Sequence, residues 1–198
     1  MSMVETEIKM LTLEHRFKQQ CYSVDNLLAN VKTLNQFMSK LEKQAVLYPD
    51  NWDRDTYVGD GFECFVEALI KLSPIDKRIN ICNYKVQPGV DMGVDGFGYG
   101  HDGEVHTVQV KYRSNQTQVL TANKDHISNF VSQSAMKYGV SLSYGHMTIF
   151  TTADSLHEEI NNEMYMAKVR THGVKQIKQL VDGNLAFWNQ FRDAMMAN

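Results

Sequence analysis

The sequence predicts an α/β domain in which a mixed β-sheet is flanked by helices and preceded by a helical hairpin. Residues 104–113 alternate between apolar and polar side chains, which is the pattern of a strand with one buried face. Apolar residues recur at helical spacing over residues 124–138, and residues 146–151 then form a short apolar run. Because a helical crossover joins parallel strands, we expect the first and last of these segments to be parallel strands of one sheet.

The other elements follow from the same spacing patterns and from glycine and proline positions. Five glycines between residues 87 and 100 predict an irregular or bulged strand, and Asp102-Gly103 is a hairpin turn signal. The remaining predictions are, in chain order, a polar boundary at 51–60, a helix over 60–72, a strand over 79–86, a helix opened by a capping box at Ser155, and helices over 174–195 with a break near Gly183. Together these elements describe an α/β sandwich.

The first 50 residues predict the helical hairpin. Apolar residues at spacings of three and four run through two segments, one ending near Phe17 and one beginning after Ser23. Ser23 has the side chain of an N-cap, and the second helix should end before Pro49, which lacks the amide hydrogen. We expect residues 1–50 to form an extension that packs on a main domain of residues 51–198, with a dimer surface as the alternative.

The composition is that of a globular protein. Hydrophobic residues make up 43% and charged residues 22% of the chain, which are ordinary proportions, and no apolar run is long enough to span a membrane. Cys21, Cys64 and Cys82 form no CxxC pair, so we expect free thiols in a reducing, cytoplasmic setting. The net charge of −3 argues against a protein that coats DNA by electrostatics alone.

Four residues have the side chains that phosphodiester hydrolysis requires. Asp95 begins a glycine-flanked strand, and Gln109 and Lys111 share one face of the next strand because side chains two residues apart point the same way. Glu63 lies on a predicted helix that can lean against that edge. A hard cation such as Mg²⁺ prefers oxygen ligands and activates water, while a nearby ammonium group stabilises the charge that develops in the transition state.

The order of these residues resembles the Mrr-like restriction endonucleases of the PD-(D/E)XK superfamily. The family pattern is a Gly-x-x-Phe-Glu helix, a Gly-Val-Asp-Gly strand and a Gln-x-Lys strand, which is similar to Gly59-Asp60-Gly61-Phe62-Glu63, Gly93-Val94-Asp95-Gly96 and Gln109-Val110-Lys111 here. The resemblance covers residues 59–152, about half of the chain. It implies a restriction-endonuclease-like fold and a metal-dependent DNA endonuclease.

The resemblance also implies a role for each matched residue. Asp95 is the main metal ligand, Glu63 is a helper carboxylate, the carbonyl of Val110 completes the coordination, and Lys111 is the catalytic ammonium. Gln109 stands where most of the superfamily has an acidic residue, as in the Mrr branch, so the site should bind Mg²⁺ or Mn²⁺ weakly. The helix could instead present Glu67.

Further residues are candidates for contact with the nucleic acid. Arg113 shares the Lys111 face, and Lys124 begins a predicted helix whose N-terminus could accept a phosphate. Gln133 stands where relatives often have a polar helper. Asp91 could supply a second carboxylate, although a solvated loop acid is the alternative reading.

The expected partners and the competing functions follow from the same resemblance. The substrate is DNA, and double-strand cutting needs two sites, so we expect a homodimer or a partner such as a helicase, without a membrane. The alternatives are a nucleic-acid-binding module of the same fold with weak or lost catalysis, and a junction-resolving nuclease.

The register of the predicted hairpin decides whether the site can form. A two-residue turn at Asp102-Gly103 would oppose Asp95 to Val110 and aim the carboxylate away from Lys111. A bulge or an odd-length loop shifts the register by one residue and corrects this. We therefore predict such an irregularity between Asp95 and Glu104.

Overall fold

The computed structural model describes residues 10–47, 54–88, 93–157 and 168–197. The strands are β1 (Cys82–Val86), β2 (Gly96–Tyr99), β3 (Val105–Lys111), β4 (Val119–Leu120), β5 (Met147–Thr151), β6 (Ser155–Leu156) and β7 (Val169–His172). The helices are α1 (Phe17–Gln20), α2 (Val24–Leu28), α3 (Leu34–Val46), α4 (Arg54–Leu72), α5 (Ile127–Tyr138), α6 (Val174–Val181) and α7 (Leu185–Met196). After α4 the described part of the chain forms four strands, then α5, three further strands and the two last helices.

Five strands form one mixed sheet in the order β1-β2-β3-β5-β7. The first three are antiparallel neighbours, whereas β3 pairs in parallel with β5 and β5 pairs in parallel with β7. The predicted parallel pair on either side of α5 is therefore confirmed. A separate two-stranded sheet joins β4 to β6. The predicted α/β fold, a mixed sheet flanked by helices, is confirmed.

The two faces of the central sheet pack against different helices. Val110 and Phe150 belong to a hydrophobic core that also contains residues of α3, α4 and α7. Ile149 belongs to a second core that contains residues of α5. Because side chains alternate along a strand, Gln109 and Lys111 lie on the α5 side of the sheet.

The second predicted N-terminal helix is broken in two. Ser23 caps α2 as expected, but a continuous helix from there towards Pro49 is wrong. Asn30 has a φ of +60°, and Thr33 caps a new helix, α3, through its side chain. The amide of Leu34 at the start of α3 donates to the Asp182 carboxylate at 2.8 Å. A contact with a residue far along the chain thus fixes the break.

The first predicted helix is reduced to the single turn of α1. Residues 10–14 are not helical, while residues 1–9 and Pro49 lie outside the described part of the chain. The N-terminal elements contribute Phe17, Leu27 and Phe37 to the core that they share with α4 and α7. The division at residue 50 stays a prediction.

Three other element boundaries differ from the prediction. α4 begins earlier, within the predicted polar boundary, because buried Tyr57 extends its apolar stripe by a turn. α5 begins later, so Lys124 is not helical, because His126 has a φ of +58°. Ser155 does not open a helix but lies in β6, where pairing with β4 outweighs the local capping pattern. The remainder of that predicted helix, residues 158–167, lies outside the described residues.

Two expectations from the composition concern the cysteines and membrane spans. All three cysteines are free thiols, and burial raises the pKa of the Cys21 thiol to about 11. Among the described helices, none has the length and apolar character needed to cross a bilayer.

Candidate active site

The β2–β3 hairpin has the odd-length loop that the site requires. Gly100 N–H donates to the Glu104 carbonyl at 2.8 Å, and Gly103 has a φ of +85°, which glycine adopts without strain. The strands pair Gly96 with Val108. At Asp95 the N–H donates to the Val108 carbonyl at 2.9 Å, so Val108 lies opposite both Asp95 and Gly96. The predicted irregularity in the hairpin is therefore confirmed.

The Asp95 carboxylate is fixed against the backbone of β3. The Val110 N–H donates to Asp95 Oδ2 at 2.5 Å, and the Asp95 side chain is only 8% exposed. In a strand, the N–H and C=O of one residue point to the same neighbouring strand. The Val110 carbonyl therefore faces the same edge of β3 as the Asp95 carboxylate, as predicted for two oxygen ligands of one cation.

Gly96 allows the close approach of Tyr84 next to Asp95. A Cβ atom at position 96 would lie 2.1 Å from the Tyr84 hydroxyl oxygen, closer than any real contact. Burial raises the pKa of the Tyr84 hydroxyl well above its ordinary value, and the negative charges of Asp95 and Glu63 raise this pKa further. Tyr84 therefore stays protonated beside the two carboxylates.

Gln109 is the most unusual polar residue of the site. Its side chain is completely buried, and within the described residues neither its amide oxygen nor its amide nitrogen has a hydrogen-bond partner. An unsatisfied buried polar group costs roughly 1–3 kcal/mol, so its presence needs a reason. Amide oxygens are ligands of hard cations, and a cation beside Asp95 would satisfy this one.

Two clefts meet at the N-terminal half of α4. The first, of about 600 Å³, is lined by Arg54, Val110 and Lys111. The second, of about 450 Å³, is lined by Glu63 and Asp95. Val110 connects them, because its N–H binds the carboxylate of the second cleft while the residue lines the first. Asp95, Glu63, Val110 and Lys111 therefore lie around the junction of these clefts, whereas Gln109 lines neither cleft.

Glu63, and not Glu67, is the α4 carboxylate that lines this junction. The Glu63 side chain is 26% exposed in the second cleft and accepts a hydrogen bond from His15 at 3.0 Å. Glu67 is completely buried and accepts from the backbone amides of Glu14 and His15 at 2.7 and 3.0 Å. Lys71 is also bonded to Glu67, at 2.7 Å. Glu67 therefore anchors residues 14 and 15, and the alternative prediction, that the helix presents Glu67 to the site, is wrong.

Residues of the N-terminal segment, which the sequence did not single out, also line the second cleft. Potential ligand atoms of His15, Asp60 and Glu63 lie within 4.8 Å of one another. Arg16 binds Asp60 through two hydrogen bonds of 2.9 and 3.1 Å. No local pattern could have revealed these contacts, because the bonded side chains are 44 to 48 residues apart in the chain.

A family model for restriction endonucleases, of the Mrr catalytic type, matches residues 79–193, more than half of the 198 residues. The chain belongs to this restriction endonuclease family. The match includes Asp95, Gln109 and Lys111, whereas Glu63 on α4 precedes it. No curated protein matches the sequence. The resemblance to the PD-(D/E)XK nucleases of the Mrr type is confirmed.

Of the three residues predicted to contact DNA, only Arg113 lines one of the two clefts of this restriction endonuclease domain. Arg113 lines the first cleft, but its guanidinium is bound to the buried carboxylate of Asp125 at 2.5 Å. Lys124 is exposed before α5, and neither Lys124 nor Gln133 is among the residues that line the two clefts. Asp91, the candidate second carboxylate, lies outside the described residues.

Proposed function

We propose that the chain is a metal-dependent DNA endonuclease that hydrolyses phosphodiester bonds at the junction of the two clefts. The observation that supports this most directly is the fixed, buried carboxylate of Asp95, bound to the Val110 N–H, together with the unsatisfied amide of Gln109, the preceding residue of β3. A carboxylate alone is common at strand ends. A buried amide without a partner is costly, and a cation ligand role explains why it is retained.

Four residues would hold the cation. Asp95 supplies the main negative charge, Gln109 and the Val110 carbonyl supply neutral oxygens, and Glu63 binds directly or through water. When bound, Mg²⁺ or Mn²⁺ would activate the attacking water and neutralise charge on the phosphate. One firm carboxylate with neutral oxygens gives weak affinity, so activity should depend steeply on metal concentration.

The tight group of His15, Asp60 and Glu63 is a less suitable cation site. Both carboxylate oxygens of Asp60 are already bonded to Arg16, whose charge balances that of Asp60. A cation there would have to compete with this ion pair.

Lys111 would supply the positive charge that the reaction needs near the scissile phosphate. Its side chain shares the sheet face of Gln109 and lines the first cleft together with Arg54, which is exposed. The acids Glu42 and Asp55 line the same cleft, so Lys111 would offer a phosphate a single local charge within a balanced lining. Lys111 would orient the attacking water and stabilise the developing charge without forming a covalent intermediate.

The test is a nicking assay on supercoiled plasmid DNA with Mg²⁺, Mn²⁺ or a chelator. We expect metal-dependent product from the wild type and a loss of at least about 100-fold for Asp95→Ala and Lys111→Ala, as for other charge-stabilising groups. Lys124→Ala is the matched control, because this lysine is exposed and lines neither cleft. Product that survives both site substitutions would remove this mechanism.

A catalytically weak DNA-binding module is the second candidate, and the neutral amide at position 109 favours it. Such a protein would retard DNA in a gel-shift assay with either metal and yield no product. Comparison of linear, branched and single-stranded DNA in the same assays identifies a junction-resolving nuclease. A helicase or a second copy of the chain remains the proposed partner for double-strand cutting.

A further inference from the structure

The N-terminal segment reaches the catalytic cleft through three carboxylates on one face of α4. Asp60, Glu63 and Glu67 are spaced three and four residues apart, so their side chains point to the same side of the helix. Each of them binds a residue of the segment 14–16, as the distances given above show. The contact with Glu67 is buried, whereas the pairs Arg16–Asp60 and His15–Glu63 both line the second cleft.

The tautomer of His15 follows from its two hydrogen bonds. The Phe17 backbone N–H donates to His15 Nδ1 at 3.2 Å, so this nitrogen is unprotonated and accepts. The proton of the neutral ring is then on Nε2, which donates to Glu63 Oε2 at 3.0 Å. The ring is only 5% exposed, which holds this arrangement against exchange with water. With both nitrogens engaged, His15 serves as a donor to Glu63 and not as a metal ligand.

A neutral donor has a specific effect on a carboxylate. A glutamate side chain loses rotamer freedom when it is fixed, and the partly exposed Glu63 would otherwise sample several positions. The hydrogen bond from His15 selects one position without adding a compensating positive charge. Asp60 shows the contrast, since the Arg16 guanidinium both fixes it and neutralises it. Glu63 therefore keeps its full negative charge for a cation.

We propose that His15 is a positioning residue for Glu63, so that residues 14–16 complete the active site of the endonuclease domain. This inference rests on the proposed function, because Glu63 matters only if it helps to hold a cation. The N-terminal segment is then part of the catalytic cleft as well as a packing layer.

Three substitutions of His15 test the inference in the full chain. His15→Ala should raise the Mn²⁺ concentration for half-maximal nicking by about 10-fold, the size of effect that orienting partners of metal ligands have. His15→Gln keeps a nitrogen donor near the position of Nε2 and should recover most of this loss. His15→Asn keeps a polar group near Nδ1 but does not reach Glu63, and it should behave like alanine.

Two further measurements separate positioning from a structural effect. Mn²⁺ should raise the thermal unfolding temperature of His15→Gln more than that of His15→Asn, which needs no catalysis to observe. Lys71→Ala is the matched control, because Lys71 supports the same segment through Thr12 and Glu14 without touching Glu63. It should lower stability and leave the Mn²⁺ dependence of nicking unchanged.

The double variant of His15→Ala with Glu63→Ala gives the sharpest outcome. If His15 acts through Glu63, the double variant should nick DNA as slowly as Glu63→Ala alone, whereas independent roles give losses that multiply. Three outcomes would overturn this inference and leave the proposed function standing. They are losses that multiply in the double variant, equal behaviour of His15→Gln and His15→Asn, and an unchanged metal dependence in His15→Ala. A wild type with neither product nor a Mn²⁺ shift overturns the proposed function as well.

Discussion

Replacing Gln109 should make the protein more stable and less active at once. Its amide is completely buried with neither polar atom bonded to another described residue. Methionine has a similar length and shape and is unbranched, so it fills the same space without a polar group. The substitution Gln109→Met therefore removes the desolvation cost and leaves the packing intact.

The magnitude follows from the cost of the unsatisfied amide. That cost is roughly 1–3 kcal/mol, so the free energy of unfolding should rise by about this amount. For a chain of this length, each kcal/mol raises the unfolding temperature by roughly 2–4 °C. We expect Gln109→Met to unfold about 2–12 °C above the wild type in a metal-free buffer. Most substitutions in a protein core lower the free energy of unfolding, so the sign of the change in Gln109→Met is informative by itself.

The assay is thermal or urea unfolding with a chelator and then with Mn²⁺. A ligand that binds only the folded state stabilises it, by about 2.7 kcal/mol at 100 times its dissociation constant. The wild type should therefore gain more from Mn²⁺ than Gln109→Met does. Gln133→Met is the control, because this half-exposed residue on α5 should change stability by less than about 0.5 kcal/mol. A destabilised Gln109→Met, or equal Mn²⁺ stabilisation of both proteins, would refute the reasoning.

Two further predictions concern the scaffold around the site. Gly96→Ala should lower the free energy of unfolding by roughly 1–3 kcal/mol because the new methyl group overlaps the buried Tyr84 ring. In Gly59→Ala, on α4, the new methyl group has no atom within 4 Å, so the free energy of unfolding should rise by about 0.5–1 kcal/mol. Urea unfolding of the two variants should therefore show changes of opposite sign. Burial lowers the pKa of His106 to about 3 and that of His172 to about 4, whereas both titrate near 6.5 when unfolded. The unfolded chain thus binds more protons at acid pH, and stability that is complete above about pH 6.5 should fall progressively towards pH 3. A flat urea midpoint between pH 7 and pH 4 would contradict this, and the double variant with both histidines replaced by glutamine should flatten the profile.

The central hairpin and its parallel neighbour could be predicted because their signals are local. Strict alternation defined β3, and an apolar run after a helical segment defined β5. The placement of Gln109 and Lys111 on one face followed from the two-residue period of a strand. Even the odd-length loop was predictable, because a two-residue turn would have opposed Asp95 to Val110.

The remaining errors share one physical origin, which is pairing with residues far along the chain. The capping pattern at Ser155 was correct as a local signal, but β4 offers that segment a strand partner. The break before α3 depends on Asp182, which binds the amide of Leu34. The contact of His15 with Glu63 likewise joins separate segments, and no spacing within either segment reveals it.

Contacts between the N-terminal and the C-terminal helices set the order in which the fold can be assembled during synthesis. The Gly183 amide binds the Lys32 carbonyl at 2.8 Å, and Arg192 on α7 reaches Asp25 on α2 at 2.7 Å. A nascent chain that has emerged only as far as β3 already carries Asp95 and Lys111, but it lacks the C-terminal helices that brace the N-terminal segment. The contacts that brace residues 25–32 can therefore form only after α6 and α7 have been synthesised, well after Asp95 and Lys111.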